Sequence, residues 1–107
     1  MRPDRIEKEE SVLVDVISSE GNPELNDVHL SGKTVDISEM GMRVALTITV
    51  PEKTRLGLRL EMDSDVFRLE GQVRWSLNDG QPTLGILLDK DSADYSKWAQ
   101  LFELDFD

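Results

Sequence analysis

Cysteine is absent from the 107 residues. That absence removes disulfides, a thiol nucleophile and thiolate metal sites, and it agrees with a reducing compartment. Histidine occurs once, as His29, inside a strand-like stretch with no second imidazole or serine dyad near it. A catalytic triad or a zinc site therefore has no support, and His29 reads as structural. Aromatic residues are scarce at 6%, so the core has to be built mainly from Leu, Val and Ile. Long apolar runs are also missing, and the opening MRPDRIEKEE is dense in charge. The expectation is a cytoplasmic chain with no signal peptide and no membrane insertion. Basic residues are few: 12 against 22 acidic ones, a formal net charge of -10. Such a field repels nucleic-acid backbones and anionic membranes, which excludes general nucleic-acid binding, and it aids solubility.

What is present is one domain's worth of strand pattern. Residues 1–10 are polar and without period, a flexible arm, and residues 11–107 carry the fold. In Ser11–Ser18, Val12, Val14 and Val16 share one face, as in a half-buried strand. Gly21, Asn22 and Pro23 mark a loop. A second strand is expected over Val28–Ile37, a turn over Ser38–Gly41, and a third strand over Met42–Leu46. Arg55–Glu61 alternates with Leu56, Leu58 and Leu60 inward. Val66–Ser76 follows, with Phe67, Leu69, Gly71, Val73 and Trp75 expected on one face. Asp79-Gly80 signals a hairpin, and Thr83–Leu88 makes the sixth strand. Consecutive strands about ten residues apart predict an all-β, six-stranded antiparallel barrel. From Asp91 the period changes to 3.6, predicting a C-terminal helix capped by Asp91 or Ser92, with Tyr95, Trp98, Leu101 and Phe102 on its buried side.

Two motifs fail on inspection. Gly32-Lys33-Thr34 looks like the end of a phosphate loop, but the glycine needed five residues earlier is Asp27, and a strand follows where a helix is required. Asp89, Asp91 and Asp94 suggest a calcium loop, but its turn glycine is missing and Gln100 stands where the closing Glu belongs. No metal site is expected. No carboxylate pair sits in an apolar setting that raises a pKa, so the chain reads as a binder and not an enzyme.

The segment Val35–Val44 remains. On a strand with Ile37 inward, Asp36 and Ser38 both face outward about 7 Å apart, and Gly41 lets the backbone come close to a ligand. Asp36-Ile37-Ser38-x-x-Gly41 resembles the D-x-S-x-x-G signature of PilZ domains. Gly71-Gln72-Val73-Arg74-Trp75, Gly80 and Leu84-Gly85-Ile86 are similar to that family's second half. The resemblance covers residues 5–102 and implies a PilZ-like barrel with a C-terminal helix. It also implies a regulatory domain that binds the second messenger cyclic di-GMP and relays it to a protein partner, with no other cofactor.

In the family an R-x-x-x-R motif before the first strand grips the nucleotide, through guanidinium forks that match phosphate oxygens and the guanine edge. This chain departs there. Arg2 stands three residues before Arg5, not four, and Asp4, Glu7, Glu9 and Glu10 oppose an anionic ligand. The resemblance thus implies a weak, stand-alone cyclic di-GMP site formed by Arg2, Arg5, Asp36, Ser38 and Gly41. The alternative is a ligand-independent adaptor working through protein contacts.

Overall fold

The computed structural model describes residues 5–104. Among these residues seven strands and one α-helix follow in chain order, with a single 3-10 turn at Pro23–Leu25: β1 (Ile6–Glu7), β2 (Ser11–Ser18), β3 (His29–Ile37), β4 (Gly41–Ala45), β5 (Arg55–Met62), β6 (Asp65–Asn78), β7 (Pro82–Leu88) and α1 (Tyr95–Leu104). The hydrogen-bonded order is β1-β3-β2-β5-β6-β7-β4, and β4 pairs back onto β3. Six antiparallel strands therefore close into a barrel, with β1 as a short addition on β3.

Alternation of residue type sets the inside of the barrel. Val12, Val14 and Val16 of β2, Leu56, Leu58 and Leu60 of β5, Phe67, Leu69 and Val73 of β6, and Leu84, Ile86 and Leu88 of β7 are all buried in one cluster. Branched side chains at every second position suit a pleated, half-buried surface. Burying each contributes about 1.5–3 kcal/mol.

β6 is 14 residues long because it serves two neighbours in turn. Asp65–Gln72 pairs with β5 and Gly71–Asn78 pairs with β7. The first half would leave an open edge beyond β5, and the segment before α1 covers it. Asp89 N donates to Glu70 O at 2.8 Å, Asp94 N donates to Arg68 O at 3.1 Å, and Ser92 Oγ accepts from Glu70 N at 2.8 Å. Asp94 Oδ2 accepts from Arg68 N at 2.8 Å. An exposed strand edge invites pairing with other chains, and this cover removes it. It also corrects the helix start. Ser92 ties the loop to β6, and α1 begins at Tyr95, four residues later than the periodicity from Asp91 suggested.

α1 anchors through Trp98, which is fully buried and packs edge-to-face on Phe67 (5.5 Å between centroids) and Phe102 (5.4 Å). The expected apolar stripe is present: Tyr95, Trp98 and Phe102 are buried, and Leu101 packs against the core.

Three irregularities interrupt the register among the described residues: one lies between Val16 and Ser18, where β2 pairs with β5, and the other two bear on the site. Of those two, one falls between Thr34 and Asp36 in β3, the other between Val73 and Trp75 in β6. A bulge inserts one unpaired residue, so every side chain after it changes face. The expectation that Trp75 shares the inner face with Phe67, Leu69 and Val73 is therefore corrected. Arg74 takes the bulge, Trp75 pairs with Gly85 on the outer side, and Ser76 takes the inner position opposite buried Leu84.

Part of the expected arm is built into the sheet. Ile6 and Glu7 pair with Ile37 and Asp36. The step from β1 to β2 is stitched by the buried Thr34 hydroxyl, which donates to Lys8 O and accepts from Glu10 N at 2.9 Å. Thr34 thus serves the sheet, consistent with the rejection of a phosphate loop at Gly32-Lys33-Thr34.

Candidate functional site

The site begins with the β3–β4 hairpin. Ser38 N donates to Gly41 O at 2.8 Å, and Ser38 Oγ accepts from Gly41 N at 3.1 Å. A serine hydroxyl that bonds locally in this way stabilises a tight turn. Gly41 is needed for space and not for its own dihedral freedom, since a Cβ there would collide with the carbonyl oxygen of Ile86 on β7. The hairpin also rests on the helix: Trp98 Nε1 donates to Ser38 O at 3.1 Å.

Two residues before the turn and two after it, Asp36 and Arg43 stand opposite each other in the ladder. Arg43 donates to Asp36 Oδ2 from Nε at 2.7 Å and also from Nη2. Arg5, just ahead of β1, donates from Nη1 to Asp36 Oδ1 at 2.9 Å. One carboxylate therefore holds two guanidiniums from two different strand neighbours. Its side chain is 2% exposed, while Arg5 and Arg43 are 54% and 41% exposed. Burial pushes the Asp36 carboxyl up, but the hydrogen bonds and charges of Arg43 and then Arg5 outweigh it, leaving the pKa below its ordinary 3.8. The hydrogen bond to Asp36 in turn raises Arg43, against some burial and with help from the charges of Asp36 and Glu7.

Above this clamp lies a shallow cleft of about 200 Å³, lined by Arg5, Ser38, Gly41, Arg43, Arg74 and Trp75 among others. Arg74 reaches it from the β6 bulge. Among the described residues Arg74 makes no ion pair. Trp75 lies across Gly85, so close that a Cβ on Gly85 would overlap the indole. Three guanidiniums beside an indole make a surface that can grip anionic oxygens and stack a flat ring. They do so on a chain whose formal net charge is -10.

Of the residues singled out in the sequence, Arg5, Ser38 and Gly41 line this cleft. Asp36 sits beneath it with both oxygens engaged. Arg2 lies outside the described residues. Arg43, Arg74 and Trp75 were not assigned to the site. Arg43 left a usable signal, because Asp36 and Arg43 are equidistant from the Ser38–Gly41 turn and a hairpin must oppose them. Arg74 and Trp75 stand in the stretch that resembles the family's second half, but the bulge that aims them at the cleft has no mark in residue type.

His29 is exposed on the outer face, where Nδ1 meets Asp15 Oδ1 at 2.5 Å. Among the described residues no group of three or more His, Asp or Glu could hold a metal ion, and no helix is long and apolar enough to cross a membrane.

Comparison with solved structures finds the same architecture. The chain superposes on the PilZ domain of CeSA from a cellulose-synthesizing bacterium with a TM-score of 0.68 at 17% identity, covering 96% of this chain and 99% of that one. It superposes on the PilZ domain of YcgR from Escherichia coli, solved with c-di-GMP, with a TM-score of 0.61 at 19% identity, covering 94% and 88%. No curated protein matches the sequence significantly. The sequence itself matches the PilZ domain family over residues 8–102. With that match spanning nearly the whole described chain, the protein belongs to the PilZ domain family.

Proposed function

We propose that this chain is a regulatory domain that binds cyclic di-GMP in the cleft above Asp36 and passes its occupancy to a protein partner. The observation that carries this reading is the convergence of Arg5, Arg43 and Arg74 with Trp75 on one cleft of an otherwise acidic chain. Guanidinium forks match phosphate oxygens and the N7/O6 edge of guanine, and an indole face stacks a purine. Asp36 enters as the anchor that fixes two of the forks, which lowers the entropy lost when they bind. Ser38 and Gly41 present the turn against which a ligand rests. The likeness to a PilZ domain solved with c-di-GMP supports the same assignment. No step of this role requires catalysis by the chain.

Binding should be weak. The arm supplies only Arg5 among the described residues, and Arg5 must share itself between Asp36 and the ligand. Calorimetric titration with cyclic di-GMP should give a measurable dissociation constant, weakened at least about tenfold, or about 1.4 kcal/mol, in Arg5→Ala and in Arg74→Ala.

One observation favours a second reading. With no arginine four residues before Arg5, and with Arg5 already held by Asp36, the cleft suits a ligand-independent adaptor. No heat at millimolar nucleotide, together with a specific partner recovered equally with and without it, would establish that reading in place of the first.

A further inference from the structure

A second basic feature lies on the opposite wall of the barrel. Strand order places β2 and β5 across from β4 and β7, which carry the cleft. On the outer face of the β2–β5–β6 sheet, Arg59 and Arg68 stand directly opposite one another. Like charges in register on neighbouring strands destabilise a sheet unless something neutralises them. With 22 acidic residues in the chain a neutralising carboxylate was available, yet among the described residues neither arginine makes an ion pair. Of the carboxylates beside them on this face, Glu61 of β5 makes no ion pair among the described residues, and two others are already engaged. Asp15 pairs with His29, and Glu70 lies 3.7 Å from Arg55.

Apolar surface adjoins the arginines. Leu13 is opposite Arg59 in the ladder and is 51% exposed, and Ile17, 46% exposed, leans over Gly57. The missing side chain at Gly57 leaves a depression of about 180 Å³ between Arg59 and Arg68 on one side and Asp15 and Glu70 on the other. A further one of about 330 Å³ runs from Arg59 past Leu13 to His29. Leu13, Arg59 and Arg68 thus form a row across three strands, stepped at about 5 Å.

From this row we infer that the β2–β5–β6 face docks an acidic, amphipathic helix of a protein partner. Side chains at i and i+4 of a helix stand about 5–6 Å apart. Two carboxylates one turn apart can each take a guanidinium fork, and an apolar residue one turn earlier meets Leu13. Paired carboxylates fit better than a polyanion, because Asp15, Glu70 and the overall charge of -10 repel an extended array of phosphates. The inference takes from the proposed function only that a protein partner exists. The two sites share no residue, so both can be filled at once.

The test is an amide-resolved NMR titration of the full chain at low salt. The probe is a helical peptide carrying Leu, Glu and Glu at successive one-turn intervals on an Ala/Gln background, with a Gln-for-Glu peptide as control. Shifts should centre on Leu13, Ser31, Gly57, Arg59 and Arg68, and be absent with the control. Arg59→Gln/Arg68→Gln should weaken the peptide at least about tenfold, with the rest of the amide pattern unchanged. The same variant should titrate with cyclic di-GMP as the parent does, so that failure of the nucleotide site and failure of this face are separately visible. Shifts at Arg5, Arg43 and Arg74 instead, or no shift at all, overturn the inference. So does concentration-dependent shifting of this face without peptide, which would make the occupant a second copy. A response to phosphatidylglycerol vesicles and not to the peptide overturns it too.

Discussion

Trp98 and Ser38, 60 positions apart in sequence, meet through a hydrogen bond from the indole Nε1 to the Ser38 carbonyl oxygen at 3.1 Å. The same indole is enclosed by Phe67 and Phe102 in the core. The helix and the turn at the cleft are therefore held by one side chain, whose apolar body and polar edge serve different neighbours. Anything that moves the turn must strain or break this bond.

Trp98→Phe keeps most of the ring packing and removes the donor. Stability should fall by about 1 kcal/mol from the lost bond, with a further contribution from the smaller ring. Amide exchange at Gly41 should quicken more than at Val14, in the barrel wall. Urea denaturation and hydrogen exchange check the two parts. Equal quickening throughout the barrel would show that the bond does not act on the turn locally.

Asp36→Asn keeps the shape of the clamp and removes its charge. At pH 7 the loss should be about 2 kcal/mol, less than for a fully buried ion pair because Arg5 and Arg43 are about half-exposed. The folded-state pKa of Asp36 lies below its ordinary value. The charge contribution is therefore fully present above about pH 5 and fades as pH falls through the folded value. Denaturant midpoints of parent and variant should converge on acidification. A gap that stays constant down to pH 2 would assign the loss to shape and not to charge.

Gly85→Ala places a methyl group where the Trp75 indole now lies. The ring has to swing into solvent, which should red-shift the tryptophan emission while Trp98 stays buried as before. A cost of about 1–3 kcal/mol accompanies the local crowding. Nucleotide affinity should fall with the emission change, and an unchanged spectrum would mean that Trp75 does not rest on Gly85.

Ser76→Ala should make the protein more stable. The β6 bulge turns Ser76 inward, and its Oγ is buried without a hydrogen-bond partner. An unsatisfied buried hydroxyl costs about 1–3 kcal/mol, most of which alanine recovers. A melting temperature raised by about 4–8 °C per kcal/mol is the expected readout. A lower melting temperature would indicate that the hydroxyl has a partner after all.

The barrel was legible wherever alternation ran unbroken. Val12, Val14 and Val16, and Leu56, Leu58 and Leu60, show their faces in residue type alone, and the helix stripe of Tyr95, Trp98 and Phe102 does the same at its own period. β1 was not legible, because two residues pairing with Ile37 and Asp36 are too few to display any period. The site was half legible. Its hairpin is local, so Ser38 and Gly41 follow from sequence, whereas the cleft is completed by contacts between β4 and β7, such as Gly41 with Leu87, that no local pattern reports. Trp75 was misplaced for a separate reason, since a strand extrapolated at strict period two keeps it inside the barrel.

That single extra residue in β6 has a consequence at the level of the gene. Deleting the codon for Arg74 would restore period two through the strand and leave Trp75 outside opposite Gly85 and Ser76 inside opposite Leu84, as they are now. One in-frame codon thus separates a cleft with three guanidiniums beside its indole from one with two, while the barrel's inner face keeps its residues.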